Sequence, residues 1–574
     1  MNIVLATLNA KYIHTNLALR YLKAYAQPEF DFSIAEYTIK DQTMQIVTDL
    51  YQRQPQVVMF SCYIWNVEQT LHIITLLKKT MPELVTVVGG PEVSYDMEEL
   101  LTAVPALDII VTGEGELAVK NLAAALRDGI PLNSVRGIAF RHDGTIQQTP
   151  PEKPLDLKDF PSPYRFPEDL PDLKKRIAYF ETSRGCPFNC QFCLSSLIKG
   201  VRFFEMEWVK EELRYLMDNG ARVIKFLDRT FNTHKAYALE ILQFLIDEHR
   251  PGNVFQFEIT ADILPIEIVD FLNASAPKGL FRFEIGVQST NELTNVIIDR
   301  RQDFEKLSRV VRAIKDGGKI DQHLDLIAGL PEEDYDSFRK TFNDVFELRP
   351  EELQLGFLKM LRGTGIRRRA DDHGYVYMDH PPYEILKNNA LSFEEVIQLK
   401  QVEDVLEKYW NAHRLDRTME YLIATAYETP FDLFQAFGSY WETKGWSRIG
   451  HQLEDLFKRL LEFLQDSGYG HLDQALAFMK VDYLASQNRK PKIWWETGDK
   501  KSLSPLYQKL VEDPAWLGAE FAQLGLTRKE LVKNTIIETL PFDFRHNSGL
   551  GKHLLVAYFD GLGRNALFTR KMPE

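Results

Sequence analysis

Glu181-Thr-Ser-Arg-Gly-Cys-Pro-Phe-Asn-Cys-Gln-Phe-Cys193 holds three of the four cysteines in this chain of 574 residues, spaced Cys186-x3-Cys190-x2-Cys193. A short apolar run, Ile177 to Phe180, leads in and reads as a strand. Gly185 and Pro187 flank the first cysteine and favour a loop. Three thiolates on one short loop can hold three corners of an iron–sulfur cluster and leave one iron open to a substrate or cofactor. Phe192, beside the last cysteine, is placed to pack on a flat ring. Zinc is the competing metal, but a structural zinc site wants four tight ligands, and this loop has three and no His. A disulfide asks for a secreted protein, and nothing else suggests one.

Working outward, the residues after the loop alternate strand and helix patterns. Val223 to Leu227, Val254 to Ile259, Leu280 to Ile285, Ile320 to Ala328 and Leu353 to Leu358 read as strands. Helical patterns lie at Trp208 to Asn219, Tyr237 to Glu248, Phe304 to Lys315 and Tyr335 to Leu348. With the lead-in strand this makes an incomplete barrel of six β/α steps over residues 176–375. Chemistry is then expected at the carboxyl ends of the strands, where the cysteine loop sits.

Cys-x3-Cys-x2-aromatic-Cys resembles the signature of the radical S-adenosylmethionine (SAM) superfamily. The resemblance implies a [4Fe-4S] cluster whose open iron is chelated by SAM, and one-electron cleavage of SAM to a 5′-deoxyadenosyl radical. It also implies an external electron donor of the flavodoxin or ferredoxin type. Phe-Glu284-Ile-Gly-Val-Gln288-Ser and Asp-Leu-Ile-Ala-Gly329-Leu-Pro look like the superfamily's fourth- and fifth-strand motifs. Phe192, Glu284 and Gln288 are accordingly SAM contacts by resemblance. The second-strand Gly-Gly-Glu that holds the SAM amino group is absent. Asp228-Arg-Thr-Phe stands there instead, which makes Asp228 the candidate. Radical SAM methylthiotransferases carry three further cysteines ahead of the barrel. Here only Cys62 remains, which argues against that branch.

Residues 1–140 alternate apolar runs with amphipathic stretches. Strands are expected at Ile3 to Leu8, Phe32 to Tyr37, Val57 to Cys62, Leu84 to Gly89 and Asp108 to Thr112. Helices are expected at Thr15 to Ala26, Met44 to Arg53, Val67 to Lys79 and Glu116 to Arg127. This predicts a Rossmann-like, doubly wound parallel sheet that binds ligands beyond its strand ends. Gly113-x-Gly115-x-x-Ala118 fits a dinucleotide fingerprint only weakly, since it follows the last strand and lacks the later acid. Ser61, Gly89-Gly-Pro and Gly113-Glu-Gly-Glu ahead of a radical SAM loop resemble the cobalamin-binding class. The resemblance makes His14, Ser61, Gly89, Gly90, Gly113 and Glu114 candidate cobalamin contacts. The lower-ligand motif Asp-x-His-x-x-Gly aligns with Tyr12-x-His14-x-x-Leu17, without the Asp that would orient the imidazole.

Residues 141–175 are Pro-rich and read as a semi-rigid linker opened by a His142-Asp-Gly-Thr145 hairpin turn. Arg367-Arg-Arg369 reads as a solvated basic run. Residues 376–574 read as a mostly helical domain, with amphipathic runs at Phe393 to Tyr409 and Ile449 to Leu464 and one strand at His553 to Phe559. This resembles a helical C-terminal extension found on one subgroup of cobalamin radical SAM proteins. Trp494-Trp495 and Phe542-Asp-Phe-Arg-His546 favour core packing over a substrate pocket.

A net charge of −14 argues against broad nucleic-acid binding. No apolar run is long enough for a membrane span. The first residues lack a basic, then apolar leader and read as a strand. Together with few cysteines these features point to the cytoplasm. The expected function is a cobalamin-dependent radical SAM enzyme acting on a small molecule, foremost a methyltransferase at an unactivated carbon or phosphorus. The alternatives are cobalamin-assisted rearrangement, cyclisation or oxidation without methyl transfer, and a non-catalytic iron–sulfur sensor or scaffold.

Overall fold

A computed structural model describes residues 1–158, 160–496, 503–545 and 548–572. Contacts divide the chain into two compact units, residues 1–396 and 397–574.

The first unit opens with strands β1 (Ile3–Asn9), β2 (Ser33–Thr38), β3 (Val57–Ser61), β4 (Val85–Gly89) and β5 (Ile109–Val111). Every residue of β1 is buried, as a strand covered on both faces requires. Its side chains split between two cores. Val4, Ala6 and Leu8 join Ile46, Leu50 and Ile73 on one face; Ile3 and Leu5 join Leu19, Ala118 and Leu122 on the other. The covering helices are α1 (Leu17–Ala26), α2 (Thr43–Gln52), α3 (Val67–Thr80), α4 (Met97–Ala103) and α5 (Gly115–Asp128). The sheet order is β2-β1-β3-β4-β5, all parallel. The order reverses between β1 and β3, and that reversal opens a crevice at the strand ends.

The five β/α steps stand as expected, with two additions. Helix α4 is only two turns long, and Asp96 before it is left-handed, so no periodic run announces it. The turn at 142–145 belongs to a hairpin of β6 (Ile138–His142) and β7 (Thr145–Gln148), which extends the first sheet antiparallel to β5. Asp143 and Gly144 both take positive φ there, as a primed hairpin turn requires.

The barrel strands are β8 (Ala178–Phe180), β11 (Val223–Phe226), β12 (Val254–Ile259), β13 (Phe281–Gln288), β14 (Asp321–Ala328) and β15 (Glu352–Phe357). They form one open parallel sheet in the order β15-β14-β13-β12-β11-β8. Burial alternates along β12, β13 and β14. Phe255, Phe257, Phe281 and Phe283 are fully buried, whereas Glu258, Glu284, His323 and Asp325 on the opposite face are half-buried. A partial barrel with a polar inner face follows from that period of two.

The cysteine loop is more ordered than its Gly and Pro suggest. Strands β9 (Ser183–Cys186) and β10 (Gly200–Phe203) pair as an antiparallel hairpin that presents the cysteines. Gly185 has φ +101°, and a Cβ there would fall on the Gly200 carbonyl oxygen, so only glycine closes this hairpin.

The second unit contains helices Asp416–Thr425, Pro430–Thr443, Leu453–Asp466 and Leu472–Ala485. The strand expected at 553–559 is the middle of a three-stranded antiparallel sheet, Thr535–Asp543, Ser548–Phe559 and Asn565–Lys571. The flanking strands were not expected, because Pro541 interrupts the first and the last is mostly half-exposed. Trp495 donates to Glu538 at 3.0 Å and Phe542 stacks on Phe478, so these aromatics pack within their own unit. His546 lies outside the described residues. Among the described residues no helix is long and apolar enough to cross a membrane.

Candidate active site

The crevice at the ends of the first sheet opens into a cavity of about 710 Å³. His14, Ser61, Gly89, Gly90, Gly113 and Glu116 line it from the first sheet, and Tyr179, Glu181, Arg184, Leu194, Leu227 and Arg229 from the barrel. That volume lies within the usual range for small-molecule sites.

On the first-sheet side the polar groups are chained. Ser61 donates to the Thr7 hydroxyl at 2.8 Å and accepts from the Asn16 amide at 3.1 Å. Asn16 in turn caps α1 by accepting from the Leu19 N–H at 3.0 Å. Gly90 has φ +116°, and a Cβ would sit 2.5 Å from the Cys62 carbonyl oxygen, so the chain turns there only as glycine. Gly89 is different. A Cβ would meet Val111 at an ordinary 3.5 Å, and the backbone is unstrained.

His14 sits where the loop after β1 meets the edge strand of the barrel. Ile177 donates its N–H to the Ile13 carbonyl at 2.8 Å, and Thr15 donates to the Ile177 carbonyl at 2.9 Å. The His14 Nδ1 lies 2.8 Å from the Tyr179 hydroxyl. Burial, then the charges of Lys11 and Lys225, lower the His14 pKa, so the ring is neutral at pH 7. Tyr179 supplies the orienting partner that the missing Asp of the His14 motif would have provided.

On the barrel side, Asp228 accepts from the Thr182 N–H at 2.9 Å and from the Thr182 and Ser183 hydroxyls at 2.6 Å each. It anchors the base of the cysteine-bearing hairpin and is not among the residues that line the cavity. Asp228→Ala would leave three buried donors unpaired and should cost about 3 kcal/mol, read as a lower midpoint in urea.

Arg184 is the hub between the two halves. It pairs with Glu181 and Glu116 at 2.7 Å each and with Glu114 at 3.5 Å, while Arg202 pairs with Glu114 as well. Glu114 is therefore held by the hairpin's two arginines, and Glu116 lines the cavity in its place. Burial pushes the Glu181 carboxyl up to about 7 against the pull of Arg184.

Around the cysteines, the Ser195 N–H points at Cys193 Sγ at 3.4 Å, and Arg300 Nη1 lies 3.8 Å from Cys190 Sγ. Such donors suit thiolates that carry a cluster. Gln191, between them, bonds through its backbone to Ile298 and to Ile366. Phe192 is half-buried next to it. Among the described residues no three His, Cys, Asp or Glu side chains converge on a single metal ion. A four-iron cluster does not ask them to, since each thiolate takes its own iron.

The inner barrel face carries the remaining candidates. Glu284 is clamped by Lys225 at 2.7 and 2.8 Å. Gln288, at φ +70°, keeps its Oε1 buried with no partner. Glu258 makes no hydrogen bond among the described residues, and burial pushes it up to about 7. An orphaned acceptor and an unpaired carboxylate fit a ligand rich in hydroxyl and amine donors. Arg300, Glu258, Arg184 and Tyr179 were not singled out from sequence, because nothing local marks them. Arg367 is not solvated: it bonds the Met360 carbonyl at 2.6 Å and covers the Tyr383 ring, while Arg368 is exposed.

Three family models match the chain: B12 binding domain over residues 3–123, Radical SAM superfamily over 180–345, and a protein family of unknown function, DUF4080, over 371–554. The chain is 32% identical over 237 residues to an uncharacterized methyltransferase of Pyrococcus horikoshii, covering 39% of this chain and 51% of that protein. It is 32% identical over 233 residues to an anaerobic magnesium-protoporphyrin IX monomethyl ester cyclase of Synechocystis, covering 38% and 44%. The chain thus spans about half the length of these curated relatives. The fold resembles OxsB, a cobalamin-dependent SAM radical enzyme solved with aqua-cobalamin and SAM, with a TM-score of 0.58 and 16% identity over 84% of this chain and 79% of that one. The chain joins a B12-binding domain to a radical SAM domain, whose cofactors are cobalamin, SAM and a [4Fe-4S] cluster.

Proposed function

We propose that this chain is a cobalamin-dependent radical SAM methyltransferase acting on a carbon or phosphorus that carries no activating group. One observation carries the reading. A single cavity is walled on one side by the switch-point loops of the B12-binding domain and on the other by residues of the cysteine-bearing hairpin and barrel mouth. When bound, the cofactors supply one-electron cleavage of SAM and a transferable methyl group.

The chain's own residues do the rest. Cys186, Cys190 and Cys193 ligate the cluster, and Asp228 holds their hairpin in place. Arg300, beside Cys190, receives the SAM carboxylate. Glu258 and Gln288 accept from the ribose hydroxyls, while Lys225 clamps Glu284 in place. His14, Ser61, Gly89, Gly90 and Gly113 take the corrin side, with the His14 ring oriented by Tyr179. Arg184 ties both walls together.

Arg300→Gln should weaken SAM binding about 10- to 100-fold, as expected for one charge-assisted pair, without loss of iron. Equilibrium dialysis of SAM against cluster-loaded protein checks it. Unchanged SAM affinity would remove Arg300 from the site.

Product analysis tests the reaction. S-adenosylhomocysteine accompanies methyl transfer; deoxyadenosine alone would mark a rearrangement or cyclisation. The likeness to a cyclase at the same identity as to a methyltransferase gives that second reading its weight. Either reaction needs a one-electron donor of flavodoxin or ferredoxin type, which we place with this protein in a reducing cytosol.

A further inference from the structure

The cavity contains one cation that the protein does not neutralise, and its placement bears on what the substrate must carry. Among the cavity-lining residues, Arg184 is consumed by Glu181, Glu116 and Glu114. Arg229 is different. Its guanidinium makes no hydrogen bond or ion pair among the described residues, and it is solvent-exposed on the cavity wall at the end of β11.

The backbone under Arg229 is pinned on both sides. Asp228 is fixed by its three bonds to Thr182 and Ser183. Beyond it, Asn232 donates to the Thr260 carbonyl at 2.8 Å and accepts from the Thr260 N–H at 3.0 Å. A charged side chain on so rigid a base is pre-organised for a ligand. Its charge reaches both walls: it is the first charge that pulls the Glu258 carboxyl down against burial, and it also acts on Tyr63 of the B12-binding domain. Neither residue lies within pairing distance of it. The corrin amides are neutral, and cobalamin's one anion, the phosphodiester of its nucleotide tail, is already present in the holoprotein, so inorganic phosphate that binds there reports a separate site. SAM brings one carboxylate, and Arg300 already stands beside the cluster to receive it.

We infer that Arg229 recognises an anionic group of the substrate, a carboxylate or a phosphoryl oxyanion, and so selects acidic small molecules for the cavity. Guanidinium presents parallel N–H donors that match the two oxygens of such a group. The inference rests on the cavity being the reaction chamber.

The test uses the holoprotein with oxidised cofactors and inorganic phosphate as the probe, read by phosphorus NMR line broadening. Wild type should broaden the phosphate signal in a saturable, salt-sensitive way. Arg229→Gln should weaken that binding at least about tenfold, Arg229→Lys should retain part of it, and Arg222→Gln, an exposed arginine at the other end of β11, should leave it unchanged. SAM affinity, measured in parallel, should stay within about twofold of wild type in Arg229→Gln. Phosphate binding that survives Arg229→Gln, or that wild type lacks, overturns the inference. A fall in SAM affinity with unchanged phosphate binding also overturns it and assigns Arg229 to the SAM carboxylate. Cobalamin and cluster content in the same samples report on the underlying reading separately.

Discussion

Cys190→Ala is expected to abolish cluster assembly and with it SAM cleavage, down to background. Cys190 is the most enclosed of the three cysteines proposed to ligate the cluster, with 8% of its surface exposed. Its neighbours Arg300 and Gln191 are committed to it or to the backbone around it. On the proposed ligation, removing this sulfur takes away one of three protein corners. Iron and labile sulfide should both fall to trace, and anaerobic incubation with SAM and dithionite should release no deoxyadenosine. Cys62→Ala is the matched control. That thiol is fully buried in the first sheet's core, where burial pushes its pKa far up. A Cys190→Ala protein that still cleaves SAM would end the cluster assignment.

Gly89→Phe is expected to have the second largest effect and to separate the two cofactors. Gly89 ends β4 on the cavity wall, with ordinary backbone angles and only van der Waals contact beside its missing Cβ. The fold has room for a Cβ there, and a phenyl ring built on it is expected to take up space that the proposed macrocycle needs. Cobalamin affinity should fall at least about 100-fold, the penalty of overpacking a few kcal/mol into a formed site. Cluster content should match wild type, because the hairpin and its anchors lie on the opposite wall. Gly90→Phe would not serve, since the clash with Cys62 disturbs the sheet itself. Full cobalamin occupancy in Gly89→Phe would move the corrin elsewhere.

Much of this was legible in the sequence where a rule is local. β1 is readable because an unbroken buried run fits only a strand covered on both faces. β12 and β13 are readable because Phe and polar residues alternate at a period of two. The cysteine spacing needs no tertiary knowledge at all. What stayed hidden depends on partners far along the chain. Glu114 belongs to two arginines of the cluster hairpin, and no pattern near residue 114 announces that. Asp228 carries the carboxylate that the motif suggests, yet folding gives its oxygens to Thr182 and Ser183. Arg300 is one arginine of an Arg-Arg pair until the chain brings it to Cys190. The β9–β10 hairpin escaped because the four residues of β9, Ser-Arg-Gly-Cys with a positive-φ glycine among them, resemble a loop in any window. The strands flanking His553–Phe559 escaped because their pairing is set by register, with Pro541 interrupting the first and the last mostly half-exposed.

The central claim is that one cavity places cobalamin against the cluster. It is tested most directly by the cobalamin content of anaerobically purified, cluster-reconstituted protein after incubation with excess cobalamin and gel filtration. The account predicts one cobalamin per chain, retained through the column and lost in Gly89→Phe. Protein that carries its full cluster but no cobalamin at saturating concentrations would contradict it.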